Sequence, residues 1–372
     1  CDGVNRGFEF DGDVLVPIVT GMTVDTPSHV AAHLYHLFFA FGPSAQHAAP
    51  GYPYVWSVVL GADELALGDT ITGFAREPGN QSSGTLAIFA RNRTHMLYGT
   101  SAANWLLVTY REELGAYAHS IQDVGQTVFL DDRGVTTMRT AQLYGNFVSG
   151  TISDRIRPNI NELRMTVTAS CISRNLNQYR LFFSSGVAYY FTMMGGKLLG
   201  TMPILFPNPA RCVWSAEQLD GSEANFFGSD NGFVYQMEKG TSFDGAAIEF
   251  YFNLSYNNSG SPRVIKHYRH AMLEVTGSSY VAFTLGYSLG YGTINIERPQ
   301  VQDVVTTFSP AYWDAFTWDA FAWDGQTLLP SELDMGGDAE NCSLVVYGNS
   351  DMYNPFTVTG IILHYSPRRA LR

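Results

Sequence analysis

Phe182-Phe183-Ser184-Ser185-Gly186-Val187-Ala188-Tyr189-Tyr190 decides the reading of the fold: two apolar, β-prone runs joined by a polar turn. The same pattern recurs along the chain. Upstream are Phe38-Phe39-Ala40-Phe41-Gly42, the stretch from Phe89 through Asn92 to Tyr98, and Phe129-Leu130-Asp131-Asp132-Arg133-Gly134-Val135. Downstream is the stretch from Phe226-Phe227 through Asp230-Asn231-Gly232 to Tyr235. Successive leading phenylalanines are 51, 40, 53 and 44 residues apart. Asp-Arg-Gly and Asp-Asn-Gly supply the positive φ that tight hairpins require. A hairpin repeated at this interval is the spacing of propeller blades, each of about four strands. The alternative is a β-sandwich whose hairpins happen to look alike.

Outward from these hairpins the period remains that of strands, as in Thr85-Leu86-Ala87-Ile88-Phe89-Ala90. Helical spacing is scarce, with single turns expected at 141–148 and 215–219. The turn motif stops near residue 245, while alternating strands continue. We therefore expect an all-β protein with a β-propeller-like domain over 1–245. Residues 246–372 are expected to form a C-terminal β domain, or to return strands that help complete the propeller.

Composition narrows the function. The 372 residues are 45% hydrophobic, 14% aromatic and 15% charged, which excludes a disordered chain or a coiled coil. A net charge of −12 argues against tight nucleic-acid binding, since phosphate contacts come from Lys and Arg. Only three of the 22 basic residues are lysines (Lys197, Lys239, Lys266). Interfaces favour Arg over Lys, although compositional drift gives the same bias. Cys1, Cys171, Cys212 and Cys342 form no CxxC pair, and reduced, buried thiols are expected. The most apolar stretch, 187–206, is interrupted by Gly195, Gly196, Lys197 and Pro203, so no membrane span is expected. A chain that begins at Cys1 is expected to be processed or part of a longer protein.

No HExxH, GxSxG, P-loop or strand-led GxGxxG is present, so no enzymatic role, catalytic residue, cofactor or metal is expected. His29, His33 and His36 could share one helical face as metal ligands; in a single strand His33 and His36 would face opposite sides. The Asp-rich turns loosely resemble the Asp-boxes of sialidase propellers, which stabilise turns. Glu64, Asp69, Glu112, Glu113 and Asp123 are candidate carboxylates, but no spacing singles out a glycosidase pair. The segment 313–325 repeats every five residues and sets Trp313, Phe316, Trp318, Phe321 and Trp323 in a row. Exposed, these five side chains would form an apolar patch typical of a subunit or domain interface; the alternative is a loop folded onto its own core.

Several stretches together resemble the tail hub, or nozzle, proteins of short-tailed bacteriophages. These are Asp2-Gly3-Val4-Asn5 with Phe8-Glu9-Phe10-Asp11-Gly12, and Leu37-Phe38-Phe39-Ala40-Phe41 with Gly51-Tyr52-Pro53-Tyr54-Val55-Trp56-Ser57. To them belong Glu113-Leu114-Gly115-Ala116 leading to the Phe129 hairpin, Gly240-Thr241-Ser242-Phe243-Asp244-Gly245 and Ser261-Pro262-Arg263. The last is Gly360-Ile361-Ile362-Leu363-His364-Tyr365-Ser366-Pro367-Arg368. The resemblance implies a structural virion protein, with six copies expected in a ring below the portal and its adaptor. Such a ring forms part of the DNA exit channel, anchors fibres or spikes, and is assembled in the host bacterial cytoplasm before residing in the virion tail. DNA would pass through without specific binding. The other class that composition permits is a glycan-binding or glycan-hydrolysing propeller acting on host surface polysaccharide, with aromatic rings stacking on sugars.

Overall fold

The computed structural model describes residues 1–80, 83–140, 147–277, 283–290, 331–350 and 356–370. The chain divides into two compact units, Cys1–Glu238 and Lys239–Arg372. The division falls seven residues before the expected boundary at 245.

The first unit opens with the hairpin β1 (Gly7–Phe10) and β2 (Leu15–Ile18). Then come successive antiparallel sheets, each an up-and-down meander in chain order. The first sheet is β3 (His29–His33), β4 (His36–Phe41), β5 (Ser44–His47) and β6 (Asp63–Ala66). The second is β7 (Ile71–Asn80), β8 (Ser83–Ala90), β9 (Arg93–Tyr98) and β10 (Leu106–Glu112). The third is β11 (Gln122–Asp123), β12 (Thr127–Asp131), β13 (Gly134–Thr140) and β14 (Phe147–Thr151). A short helix, α1 (Arg157–Leu163), follows. The fourth sheet is β15 (Val167–Ser173), β16 (Gln178–Phe183), β17 (Val187–Met194) and β18 (Lys197–Leu205). The last is β19 (Ala210–Glu217), β20 (Glu223–Ser229) and β21 (Val234–Gln236).

Every copy of the repeated hairpin is the second and third strand of its sheet. Middle strands such as β12, β16 and the C-terminal part of β8 are buried on both faces, which is why they read as continuous apolar runs rather than as alternation. Period 2 still operates: alternate residues serve opposite neighbours. On β8, Leu86 and Ile88 pack with Phe38 and Ala40 of the first sheet, whereas Ala87 and Phe89 pack with Phe129 of the third. On β12, Val128 and Leu130 turn the other way, to Tyr179, Leu181 and Phe183 of the fourth. The first strands approach one another, β3 beside β7, β11 beside β15, and β15 beside β19. Stacked four-stranded meanders with converging first strands define a β-propeller-like domain.

The turns obey their local chemistry. Gly186 has φ 85°, and a Cβ there would stand 2.6 Å from the Phe206 carbonyl oxygen, so glycine is required. In the third sheet's turn, Asp131 accepts from the Arg133 backbone N–H at 2.7 Å and from its guanidinium. Between sheets, the Arg91 guanidinium and the Tyr117 hydroxyl both donate to Asp132, at 2.7 and 2.8 Å.

The second unit has its own core. β22 (Ile248–Asn253), β24 (Thr284–Leu289) and β26 (Cys342–Ser350) form one sheet, ordered β22-β26-β24. β23 (Val264–Gly277), β25 (Ser331–Ala339) and β27 (Phe356–Ala370) form the other, ordered β25-β23-β27. Their facing residues, among them Tyr268, Leu273, Leu285, Tyr287, Leu333, Leu344 and Val346, make a two-sheet core. Among the described residues, every strand of this unit pairs within it. The buried Lys266 ammonium donates to the carbonyls of Ser261, Val264 and Glu340 at 2.8, 3.1 and 2.8 Å, which ties a loop and a strand end to the sheet.

Three local expectations are corrected. Ser215 to Glu217 lie in β19, not in a helical turn, because they pair with Glu223 to Asn225 of β20. Within 141–148, the described residues Phe147 and Val148 belong to β14, paired with Thr140 and Arg139. All four cysteines are free, but only Cys171 and Cys342 are buried, while Cys1 and Cys212 are exposed.

Candidate functional site

Two features of the first unit stand apart from ordinary propeller packing: an apolar surface at the N-terminal hairpin, and a row of titratable groups on the first strands.

In β1 and β2 the hairpin exposes Phe8 (45%), Phe10 (64%) and Leu15 (59%), with Val14 at the turn (56%). Only Gly7 and Ile18 of its eight strand residues are buried. A two-stranded hairpin with apolar residues in water is marginal without cover. It is anchored at one end, where Gly7 lies against the Phe39 ring and Arg6 pairs with Asp25 at 3.5 Å. The segment that follows the first sheet's third strand lies alongside. Tyr54 donates to Glu9, and Trp56 stacks on Phe39 at 5.1 Å. That segment exposes Tyr52, Val58, Val59 and Leu60 by 62% or more. Together they form an apolar surface of a kind that marks interaction sites.

The row of first strands is polar. Gly73 of β7 lies against Ile121 and the His29 ring, and His29 lies 5.9 Å from His119. Burial holds His29 down at about 4, reinforced by His119. Burial likewise holds His33 at about 4, with Arg76 and His36 adding to it. The Nε2 atoms of both rings are buried without a hydrogen-bond partner among the described residues. Glu77, 5% exposed, is pushed up by burial to about 7; the Thr127 hydroxyl donates to it and opposes the rise, and Asp123 adds to it. Further along, Gln122 donates to the Ser170 carbonyl at 2.9 Å, and the Ser170 hydroxyl donates to the His119 carbonyl at 2.6 Å.

The histidine cluster foreseen on a helical face lies on a hairpin instead. Leu34 and Tyr35, both at positive φ (45° and 66°), reverse the chain, so His33 pairs directly with His36. The two therefore share a face. His36 and His47 both direct Nδ1 at the Ala48 carbonyl, at 2.8 and 3.1 Å, and their rings sit 4.7 and 4.5 Å from Trp105. This is a packed aromatic block. In the first unit no three ligand atoms of His, Cys, Asp or Glu converge within 4.8 Å, among the described residues.

The candidate carboxylates are dispersed. Glu64 accepts from Ser44, and Asp69 holds the Asn92 backbone N–H at 2.8 Å, a turn-stabilising role. Glu112 and Glu113 line a cleft of about 470 Å³ with Arg91, Arg93 and Asp132. Asp123 lies beside Glu77. Trp313, Phe316, Trp318, Phe321 and Trp323 lie outside the described residues. Sequence reasoning missed the hairpin surface and Glu77. The signal for the first was present, as apolar residues at Phe8, Phe10, Val14, Leu15 and Val16 close to a turn; Glu77 carries no such mark.

No family model matches the chain, and no curated protein matches it. Among solved structures it is similar to BBS1N in complex with ARL6DN (TM-score 0.38, 12% identity, 57% of this chain and 63% of that one). It is also similar to Chaetomium thermophilum Raptor (0.39, 10%, 57% and 19%) and to the computationally designed Ika8 protein (0.38, 10%, 62% and 70%). The chain thus spans less than two thirds of BBS1N and about a fifth of Raptor. The fold assignment rests on sheet order and register, not on these likenesses.

Proposed function

We propose that this protein is a non-catalytic, ring-forming structural subunit that assembles through its N-terminal hairpin surface. The observation that carries the reading is the hairpin itself, with Phe8, Phe10 and Leu15 in water and held to its unit by few contacts. The resemblance to tail hub proteins of short-tailed bacteriophages supplies the setting. In it, about six copies form part of a DNA exit channel below the portal and adaptor, and carry fibres or spikes. The acidic net charge of −12 supports a conduit that lets phosphates pass. Among the described residues of the first unit, the candidate carboxylates are dispersed and no three ligand atoms of His, Cys, Asp or Glu converge, which supports a structural role over hydrolysis of a glycan.

The test is particle mass, by light scattering on the purified chain and by cryo-EM class averages. A ring of about six copies, reduced to monomer by the pair Phe8→Asp and Leu15→Asp with the melting temperature unchanged, is the expected result. A strictly monomeric wild-type chain, both alone and mixed with portal and adaptor proteins, would overturn the proposal.

A further inference from the structure

We propose that the second unit carries a divalent transition-metal site on the open face of the β25-β23-β27 sheet, with His270, Glu332 and Asp334 as ligands. One ligand atom from each of these residues lies within 4.8 Å of the other two. Metal–ligand bonds to His nitrogen and carboxylate oxygen run about 2.0–2.2 Å, so one ion reaches all three after a small swing of the exposed carboxylates. His270 Nδ1 is already 3.5 Å from Glu332 Oε1.

Strand register brings the set together. His270 pairs with Asp334 on one side and with His364 on the other, a row across three strands. Glu332 stands two residues from Asp334, hence on the same face. The opposite face carries the fully buried Ala271, Leu273 and Leu333, which fixes the row outward. The His364 ring centroid is 4.4 Å from that of His270, which puts a fourth donor, and a second nitrogen, beside the site. A bulge interrupts both pairings of β23 between Tyr268 and His270. Bulges re-aim side chains and cluster at functional sites.

The electrostatics leave the carboxylates available. Next along the face, Asp338 takes His267 at 2.6 Å and Arg368 at 3.0 Å, which absorbs that guanidinium. Among the described ion pairs, Glu332 meets only His270, and Asp334 meets no basic group. Two carboxylates and one or two imidazoles suit Mn²⁺, Co²⁺, Ni²⁺ or Zn²⁺ over the oxygen-seeking Mg²⁺ and Ca²⁺. A bound ion would clamp β25 to β23, and His364 would add β27 on joining the ligand set. Ligands 62 and 64 residues beyond His270 show no spacing in the sequence.

The probe is Zn²⁺, with Mg²⁺ as the contrast, titrated calorimetrically into the full chain at neutral pH; Co²⁺ absorption reports the ligand field. We expect one equivalent of Zn²⁺, bound at least 100-fold more tightly than Mg²⁺. His270→Ala should weaken it by more than the ~10–100-fold that loss of a mere outer-shell partner costs. The double variant Glu332→Gln, Asp334→Asn, which touches only exposed side chains, should do the same with the circular dichroism unchanged. His119→Ala, in the first unit, should bind as wild type. No stoichiometric Zn²⁺, or undiminished binding in the double variant, would overturn the proposal.

Discussion

Glu77→Gln should stabilise the first unit at alkaline pH and do little in acid. Glu77 is a carboxyl with 5% exposure, raised from 4.5 to about 7 chiefly by burial, with the Asp123 charge adding to it against the Thr127 hydroxyl. Its folded value lies above its ordinary one, so the folded chain keeps the proton where the unfolded chain has lost it. Stability is therefore full below about 4.5 and falls as pH rises through about 7. At about 1.36 kcal/mol per pH unit, the ionisable group costs roughly 3 kcal/mol at pH 8 and under about 1 kcal/mol at pH 5. Glutamine keeps an oxygen for Thr127 and has no proton to lose. Thermal unfolding followed by fluorescence at both pH values gives the comparison. Taking the difference between variant and wild type cancels the other titrating groups. For a unit of this size the melting-temperature advantage should grow by about 5–10 °C from pH 5 to pH 8. An advantage that is flat or shrinks over that range would refute the reasoning, and would mean that Glu77 ionises in the fold at little cost.

Further predictions follow from packing and charge. His33 has the opposite sign: its folded value is held down at about 4, so its contribution is present above about 6.5 and lost as pH falls. His33→Asn should flatten the acid limb by about 2 kcal/mol between pH 7.5 and 5, read by urea denaturation at each pH. Phe129→Ala should cost about 3–5 kcal/mol by the same assay, since the ring is fully buried and 4.8 Å from that of Phe89. Gly115→Ala should cost about 1–3 kcal/mol despite adding only a methyl group, because its Cβ would stand 2.1 Å from the Arg91 carbonyl oxygen.

The sites differ in how far they could be read from the chain. The apolar alternation of Phe8, Phe10 and Leu15 is visible, but not its exposure, because a buried hairpin has the same sequence. His33 and His36, three apart, were compatible with a helix or a strand; only the left-handed Leu34 and Tyr35 make them partners. Glu77 reads as one more acidic residue in a strand; its pKa is raised chiefly by burial, which only the packed sheets create, with the Asp123 charge adding to it from elsewhere in the chain. Helix α1 went unread because its seven residues are too few to establish a helical period.

Repeated Phe-led hairpins with Asp, Ser and Gly turns determined by themselves that the chain is all-β and propeller-like, and how many residues separate one sheet from the next. Those are local properties: strand period and turn conformation are set by residues within a few positions of each other. What faces what was decided only by tertiary structure. Leu86 and Phe89 are both apolar, yet they serve opposite neighbours because a middle strand has a sheet on each side. The close approach of His270, Glu332, Asp334 and His364 depends on a bulge and on register between distant strands. Pairing across 64 or 94 residues is a matter of which surfaces fit, and no local pattern encodes it.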